Sequence, residues 1–363
     1  MPHAAPYLAD SLVFDWRKSS FRSDWIFSVA TAICLGAGLA AGHPGAALIA
    51  GSGAMTVGLG AKQSIDDSRL LPMIFVSLGM SLSTFFGMIA SHESFVLVIL
   101  AALWGFGYGM LSKRQAGYSW VGQQCVVTLL VASAFPFSVK AAAVRSLLEL
   151  AGGAVQIICS SLLLRIFGQL KSDLVALGGY IRSEETEMRA MLAEAFRSLG
   201  RGEMQDAALP YSLRLAATLG ICTEIYQRVH FSSGYWIPMT ALLVLKPGLV
   251  DTVSRALART LGTITGAVLV SLFIRQLQPG TVEIAFFIVL FAWLSYGMIN
   301  VNYGLFTLFL TAYVVFLLSL ANMPANLTAE RRAFCTFLGG AIALSVRLVV
   351  IHHRKRVMEP VAG

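Results

Sequence analysis

Twelve apolar segments, bounded by glycine, proline or charge, divide the chain and restrict the folds open to it. Six fall in the first half, at about 25–42, 44–60, 70–91, 94–111, 117–135 and 146–167. Six more fall in the second half, at about 209–229, 233–247, 256–277, 282–299, 302–322 and 333–351. In a bilayer every backbone polar group must be satisfied internally, so only helices or closed barrels can span it. Runs of this length exclude barrel strands. The expectation is an all-α integral membrane protein of about 12 transmembrane helices, with segments 44–60 and 233–247 short enough to be re-entrant. Composition agrees: 56% of the 363 residues are hydrophobic and 13% charged, against about 25% charge in soluble domains. Residues 1–24 hold no apolar run of signal-peptide type and read as a cytoplasmic lead-in helix or tail.

Charge places the boundaries. Residues 169–208 carry 12 charged side chains in 40 residues, while the other 323 carry 34. Leu170, Leu174, Leu177 and Ile181 recur there at helical spacing, which predicts a water-exposed amphipathic helix or hairpin between two membrane domains, 25–168 and 209–352. A basic cytoplasmic tail, 353–363, follows. With the N-terminus inside, 19 lysines and arginines fall on the cytoplasmic side and six on the outer side, the asymmetry that sets topology. Both termini are then cytoplasmic. The net charge of +8 needs no nucleic-acid partner, because topology and attraction to anionic lipid account for it.

The two domains resemble each other. Arg145 with Gly152-Gly153-Ala154 lies over Arg332 with Gly339-Gly340-Ala341 at an offset of 187 residues. Tyr108-Gly109-Met110 matches Tyr296-Gly297-Met298 at 188, and Ser68-Arg69 matches Ser254-Arg255 at 186. Six helices per copy give both copies the same orientation, so two tandem six-helix repeats are expected around an axis along the membrane normal.

Few residues read as catalytic. The five cysteines lie inside apolar segments without C-x-x-C spacing, as small buried hydrophobes do. The six histidines are dispersed, and no P-loop or H-E-x-x-H occurs. No enzyme activity, metal or cofactor is expected.

The stretch SSGYWIPMTALLVLKPG, Ser232 to Gly248, holds an apolar run of only eleven residues, Tyr235 to Leu245. It opens on Tyr235-Trp236 and stops at Lys246-Pro247-Gly248. The next helix carries Arg255, Arg259, Gly262 and Gly266, whose spacing of 4, 3 and 4 puts all four on one face. Glycines there admit a close neighbour. The arginines then either gather an organic anion, bidentate to its carboxylate, or act as ordinary positive-inside anchors. Lys246 stands beside the same mouth. Tyr235 and Trp236 either stack an aromatic solute or form part of an interfacial belt. Glu149 and Glu224 are candidate proton carriers, although Arg145 and Arg228 stand four residues away and either could neutralise its neighbour instead. Gly152, Gly153, Gly339 and Gly340 read as helix-packing residues, like Gly262 and Gly266.

From 234 to 269 the sequence resembles the signature of the fusaric acid resistance family, the bacterial aromatic acid exporters. The resemblance rests on Tyr235-Trp236, Lys246-Pro247, Arg255 with Arg259, and Gly262-Thr263 with Gly266. Plant malate channels carry a similar motif. The first half has Arg69 but Met73 in place of the second arginine, and no Tyr-Trp pair. The resemblance implies an inner-membrane permease exporting small organic, aromatic carboxylic acids. Its partners would be the lipid bilayer, the organic anion, in some relatives a periplasmic adaptor protein, and a second copy of itself. Larger members carry a substantial cytosolic domain where this chain has about 40 residues. Two other classes stay open: a passive organic-anion channel and a non-transporting membrane scaffold.

Overall fold

The computed structural model describes residues 5–135, 138–200, 208–229, 233–321, 323 and 325–358. The segment 201–207 of the expected linker and the end of the basic tail, 359–363, lie outside the described residues.

A short lead-in, with 3-10 turns at Ala5–Leu8 and Trp16–Lys18 around α1 (Ala9–Leu12), precedes the first long helix. The first half then forms α2 (Phe21–Ala40), α3 (Pro44–Gly60), α4 (Leu70–Ala90), α5 (Ser94–Leu111), α6 (Ala116–Ala132) and α7 (Val139–Leu163). Next comes α8 (Phe167–Gly200). The second half forms α9 (Ala208–Val229), α10 (Trp236–Val244), α11 (Leu249–Leu277), α12 (Thr281–Met298), α13 (Tyr303–Leu320) and α14 (Ala325–Met358). Local signals mark the breaks. Pro44 sits in the first turn of α3, Asn302 caps α13 by accepting from the Leu305 amide at 2.9 Å, and Pro247-Gly248 separates α10 from α11.

Each of the twelve apolar segments is helical, but among the described residues eight of these helices are long and apolar enough to cross a membrane. The expected count of twelve spans is therefore not met on length and composition. Among the described residues α3 and α6 have 17 residues each, α10 has nine, and α9 is made more polar by Arg214, Glu224 and Arg228. The chain is a multi-pass, all-helical membrane protein. The charged stretch after α7 is one continuous helix of 34 residues and not a hairpin. It is held to the bundle by Asp173, which accepts from the Ser68 hydroxyl at 2.7 Å, and by Glu184 and Glu187 against Arg114.

Packing follows a recurring pattern. In the first half α4 lies on α6 and α7, and α3 lies on α7; in the second, α11 lies on α13 and α14, and α10 lies on α14. The halves interlock through α5 against α9 and α12 against α2. One apolar cluster joins Phe27, Met55 and Met73 to Tyr296 and Phe316, and another joins Tyr108 and Leu129 to Leu215, Trp236 and Leu242. Both halves thus contribute to both cores, and neither buries its apolar faces alone.

The glycines predicted to pack do so, except for Gly340, which has room. A Cβ on Gly262 would meet the Gly304 carbonyl oxygen at 2.5 Å, and one on Gly266 the Leu308 carbonyl oxygen at 2.6 Å. The face of α11 that carries Arg255 and Arg259 is therefore turned into the seam with α13 rather than towards lipid. Gly152 abuts the Ala50 carbonyl, Gly153 the Ser77 side chain, and Gly339 the Ile237 carbonyl.

Candidate functional site

The short helix α10 is set by its two ends. Ser233 lies in the left-handed region at φ 68° and turns the chain sharply into Tyr235 and Trp236. At the other end Lys246-Pro247-Gly248 folds back on Thr252: the Lys246 amide donates to Thr252 Oγ1 at 3.0 Å, and that hydroxyl donates to the Gly248 carbonyl at 2.7 Å. With nine residues at about 1.5 Å each, α10 rises roughly 14 Å.

At the Lys246 end, three cations converge on Tyr303, the first residue of α13. The Arg255 guanidinium lies 3.9 Å from the centre of its ring, and Arg259 Nη1 donates to its hydroxyl at 3.2 Å. Lys246 also acts electrostatically on that hydroxyl. Arg259 is only 3% exposed, and its Nε has no hydrogen-bond partner. Among the described residues one carboxylate reaches this cluster, Asp10 from the lead-in, 3.2 Å from Arg255 Nε. Its position is fixed from several sides. The Asp10 amide donates to Ser254 Oγ at 2.9 Å, Asn302 Nδ2 to the Val13 carbonyl at 2.9 Å, and the Asp15 amide to the Val301 carbonyl at 3.0 Å.

At the opposite end of α10, Tyr235 and Trp236 are buried, with ring centroids 5.2 Å apart. They form neither an interfacial belt nor an open stacking platform here, because the Arg332 guanidinium covers the Trp236 ring at 3.9 Å. Arg332 is 1% exposed, and its Nε and Nη1 have no hydrogen-bond partner among the described residues.

The first half treats its cations differently. Lys62 Nζ lies 2.5 Å from Asp24, which is 1% exposed, and also donates to Ser20 Oγ at 2.7 Å. Arg145 has Glu149 one turn on, and Thr84 donates to the Glu149 carboxylate. At the offset of 187, the second half has Tyr211 for Asp24 and Thr336 for Glu149. Glu224 is paired with Arg228 at 2.5 Å and its side chain is 38% exposed.

Arg255, Arg259 and Lys246, singled out by their spacing, come together in the structure with Tyr303 and Asp10, which the spacing does not single out, and Arg332 is not singled out as a binding residue either. For Arg332 the signal was present. Arg332, Thr336, Gly339 and Ala343 repeat the 4, 3, 4 spacing of the α11 face, and all four are buried.

Residues 221–346 match the fusaric acid resistance protein-like family. The family match encloses every basic residue of the site, from Lys246 to Arg332, and stops short of the first half. An uncharacterized protein of Synechocystis is 27% identical over 144 residues, 39% of this chain and 19% of its own. One from Haemophilus influenzae is 31% identical over 134 residues, 37% of this chain and 18% of its own. A third, from Neisseria gonorrhoeae, is 25% identical over 168 residues, 45% of this chain and 40% of its own. The chain thus spans well under half the length of these relatives. No solved structure matches.

Proposed function

We propose that the protein is an inner-membrane permease that exports small organic, aromatic carboxylates, gathered at a cytoplasmic mouth built from Lys246, Arg255, Arg259 and Tyr303. The observation that carries this reading is the burial of Arg259 at 3% exposure with an unfilled Nε. A topology anchor sits in headgroups or water and needs no such burial, whereas a guanidinium kept out of water without a carboxylate is costly unless an anion visits it. The fusaric acid resistance match over residues 221–346 supports the same class of solute.

The architecture in this reading is two tandem six-helix repeats of one orientation, with both termini cytoplasmic. It is supported by Gly152 packing on the Ala50 carbonyl and Gly339 on the Ile237 carbonyl, residue pairs that are 187 apart at both positions. The second repeat handles the anion while the first, with Lys62 paired to Asp24 and Glu149 one turn from Arg145, braces it.

Efflux of preloaded 4-hydroxybenzoate from cells at matched membrane levels tests the function. Wild type should export, and Arg259→Ala should lose at least about tenfold of the rate, since a charge-assisted hydrogen bond is worth about 1.5–3 kcal/mol. Equal rates in the two would return Arg259 to the role of an anchor.

Asp10 acts in this scheme as a resident competitor for Arg255. Asp10→Asn should lower the half-saturating 4-hydroxybenzoate concentration by up to about fivefold, the scale of a partly exposed ion pair. Dose–response efflux reads this directly, and an unchanged midpoint would remove Asp10 from the site. A passive anion channel is the second reading, favoured by the absence of a proton-carrying carboxylate beside Arg259 among the described residues. Accumulation against a gradient separates the two.

A further inference from the structure

Arg332 is a buried cation that the mouth described above does not use. Its guanidinium is closed off from solvent, lies over the Trp236 ring at 3.9 Å, and leaves Nε and Nη1 without hydrogen-bond partners among the described residues. Its electrostatic neighbours are Arg259, another cation, and Tyr235. The two guanidinium groups come from opposite ends of the membrane domain. Arg259 is ten residues into α11 and Arg332 seven into α14, about 15 Å and 10 Å from the respective helix starts. At those depths the two groups act on each other electrostatically.

Two buried like charges within electrostatic reach, with no carboxylate paired to either among the described residues, is an arrangement a folded interior avoids. An aromatic face offsets part of the cost for Arg332. The first half shows what would relieve it. There Arg145, at the offset of 187, has Glu149 on the next turn, where Arg332 has Thr336 at 1% exposure. The second half has the cation of that pair and not its carboxylate.

We propose that Arg332 and Arg259 are the two jaws of an occluded anion site, in which the carboxylate of a transported acid takes the place that Glu149 takes in the first half. This rests on the permease reading and adds its inner station. The acid leaves the Arg255 mouth, is held between Arg259 and Arg332 with its charge neutralised by both, and leaves past Trp236 and Tyr235. Arg332 is a binding residue by this account and no packing residue.

The test measures thermal unfolding of the purified full chain in detergent, with sodium 4-hydroxybenzoate or sodium chloride at equal ionic strength. Wild type should unfold at a higher temperature with 4-hydroxybenzoate. Arg332→Met should start from a higher unfolding temperature than wild type, show no benzoate-dependent rise, bind 4-hydroxybenzoate at least tenfold more weakly, and fail to export. A structural arginine would give the reverse, a lower baseline with the anion response intact, and that result overturns the proposal. Thr336→Glu provides a second route that keeps the arginine. An internal carboxylate should fill the site, raise the baseline and abolish the benzoate response, and a Thr336→Glu chain that still responds as wild type also overturns it. A response lost in Arg259→Ala but kept in Arg332→Met overturns this inference alone. No response in any chain, wild type included, overturns the permease reading and this inference with it.

Discussion

Asp24→Ala is expected to destabilise the protein by about 3–5 kcal/mol, the cost of leaving a buried charge without its partner. Asp24 is 1% exposed and its carboxylate lies 2.5 Å from Lys62 Nζ, whose own side chain is 11% exposed. Without Asp24, Lys62 keeps the Ser20 hydroxyl and, 5.7 Å away, the face of Phe27. Neither supplies a negative charge. The apparent unfolding temperature of purified protein should fall by several degrees, and the monodisperse fraction on size exclusion should fall with it. Replacing both partners, Asp24→Leu with Lys62→Met, should recover most of the loss, because an apolar pair of similar volume leaves no stranded charge. Failure of the double variant to recover would mean that the pair orders α2 and the loop after α3 through its hydrogen bonds.

Gly339→Ala should cost about 2–3 kcal/mol and the adjacent Gly340→Ala almost nothing. A Cβ on Gly339 would run into the Ile237 carbonyl, with Thr240 Cβ at 2.9 Å and the Ala241 nitrogen at 3.3 Å. Two of those three obstacles are backbone and cannot rotate away, so α10 and α14 would have to separate, the overpacking penalty of a close helix seam. On Gly340 the nearest atoms are Ala256 Cβ at 3.9 Å and Thr260 Oγ1 at 4.0 Å, ordinary contact distances. There alanine gains about 0.5–1 kcal/mol of helix propensity. Gly152→Ala should behave like Gly339→Ala, since its Cβ would run into the carbonyl of Ala50. Parallel melting curves of the three variants check the contrast, and equal damage at Gly339 and Gly340 would contradict the seam as drawn.

The helices were legible because apolar length, glycine, proline and charge each mark them independently, and these signals agreed at every one of the twelve segments. Which helices cross the membrane was less legible. The sequence gives length and hydropathy, while α10 is buried along nearly its whole length by neighbouring helices that no local signal names. The face carrying Arg255, Arg259, Gly262 and Gly266 could be read from spacing alone, and its packing on α13 follows that reading. Tyr303 and Asp10 could not be read that way. They reach the cluster from α13 and the lead-in, 44 and 249 positions from Arg259 in the chain, and no local pattern encodes such a meeting. Arg332 lies between these cases. Adjacent arginines at 331 and 332 are separated by about 100° around a helix, so only one can turn inward, and Thr336 and Gly339 on its face say which.

The brevity of α10 has an electrical consequence. A membrane potential falls mainly across the part of its path where low-dielectric protein or lipid separates two aqueous faces. That path is about 30 Å through a bilayer core, but alongside α10 the polar groups at its two ends are separated by roughly 14 Å of helix. In the proposed transport cycle, whenever water reaches both ends of α10, the same voltage would fall across about half the thickness and give about twice the field. In the permease proposed above, each anion crossing that layer would exchange most of the available electrical work, about 2.3 kcal/mol per charge at 100 mV, within one short step between two arginines. Flux through such a step rises or falls steeply with voltage, and an inside-negative potential drives an anion outward.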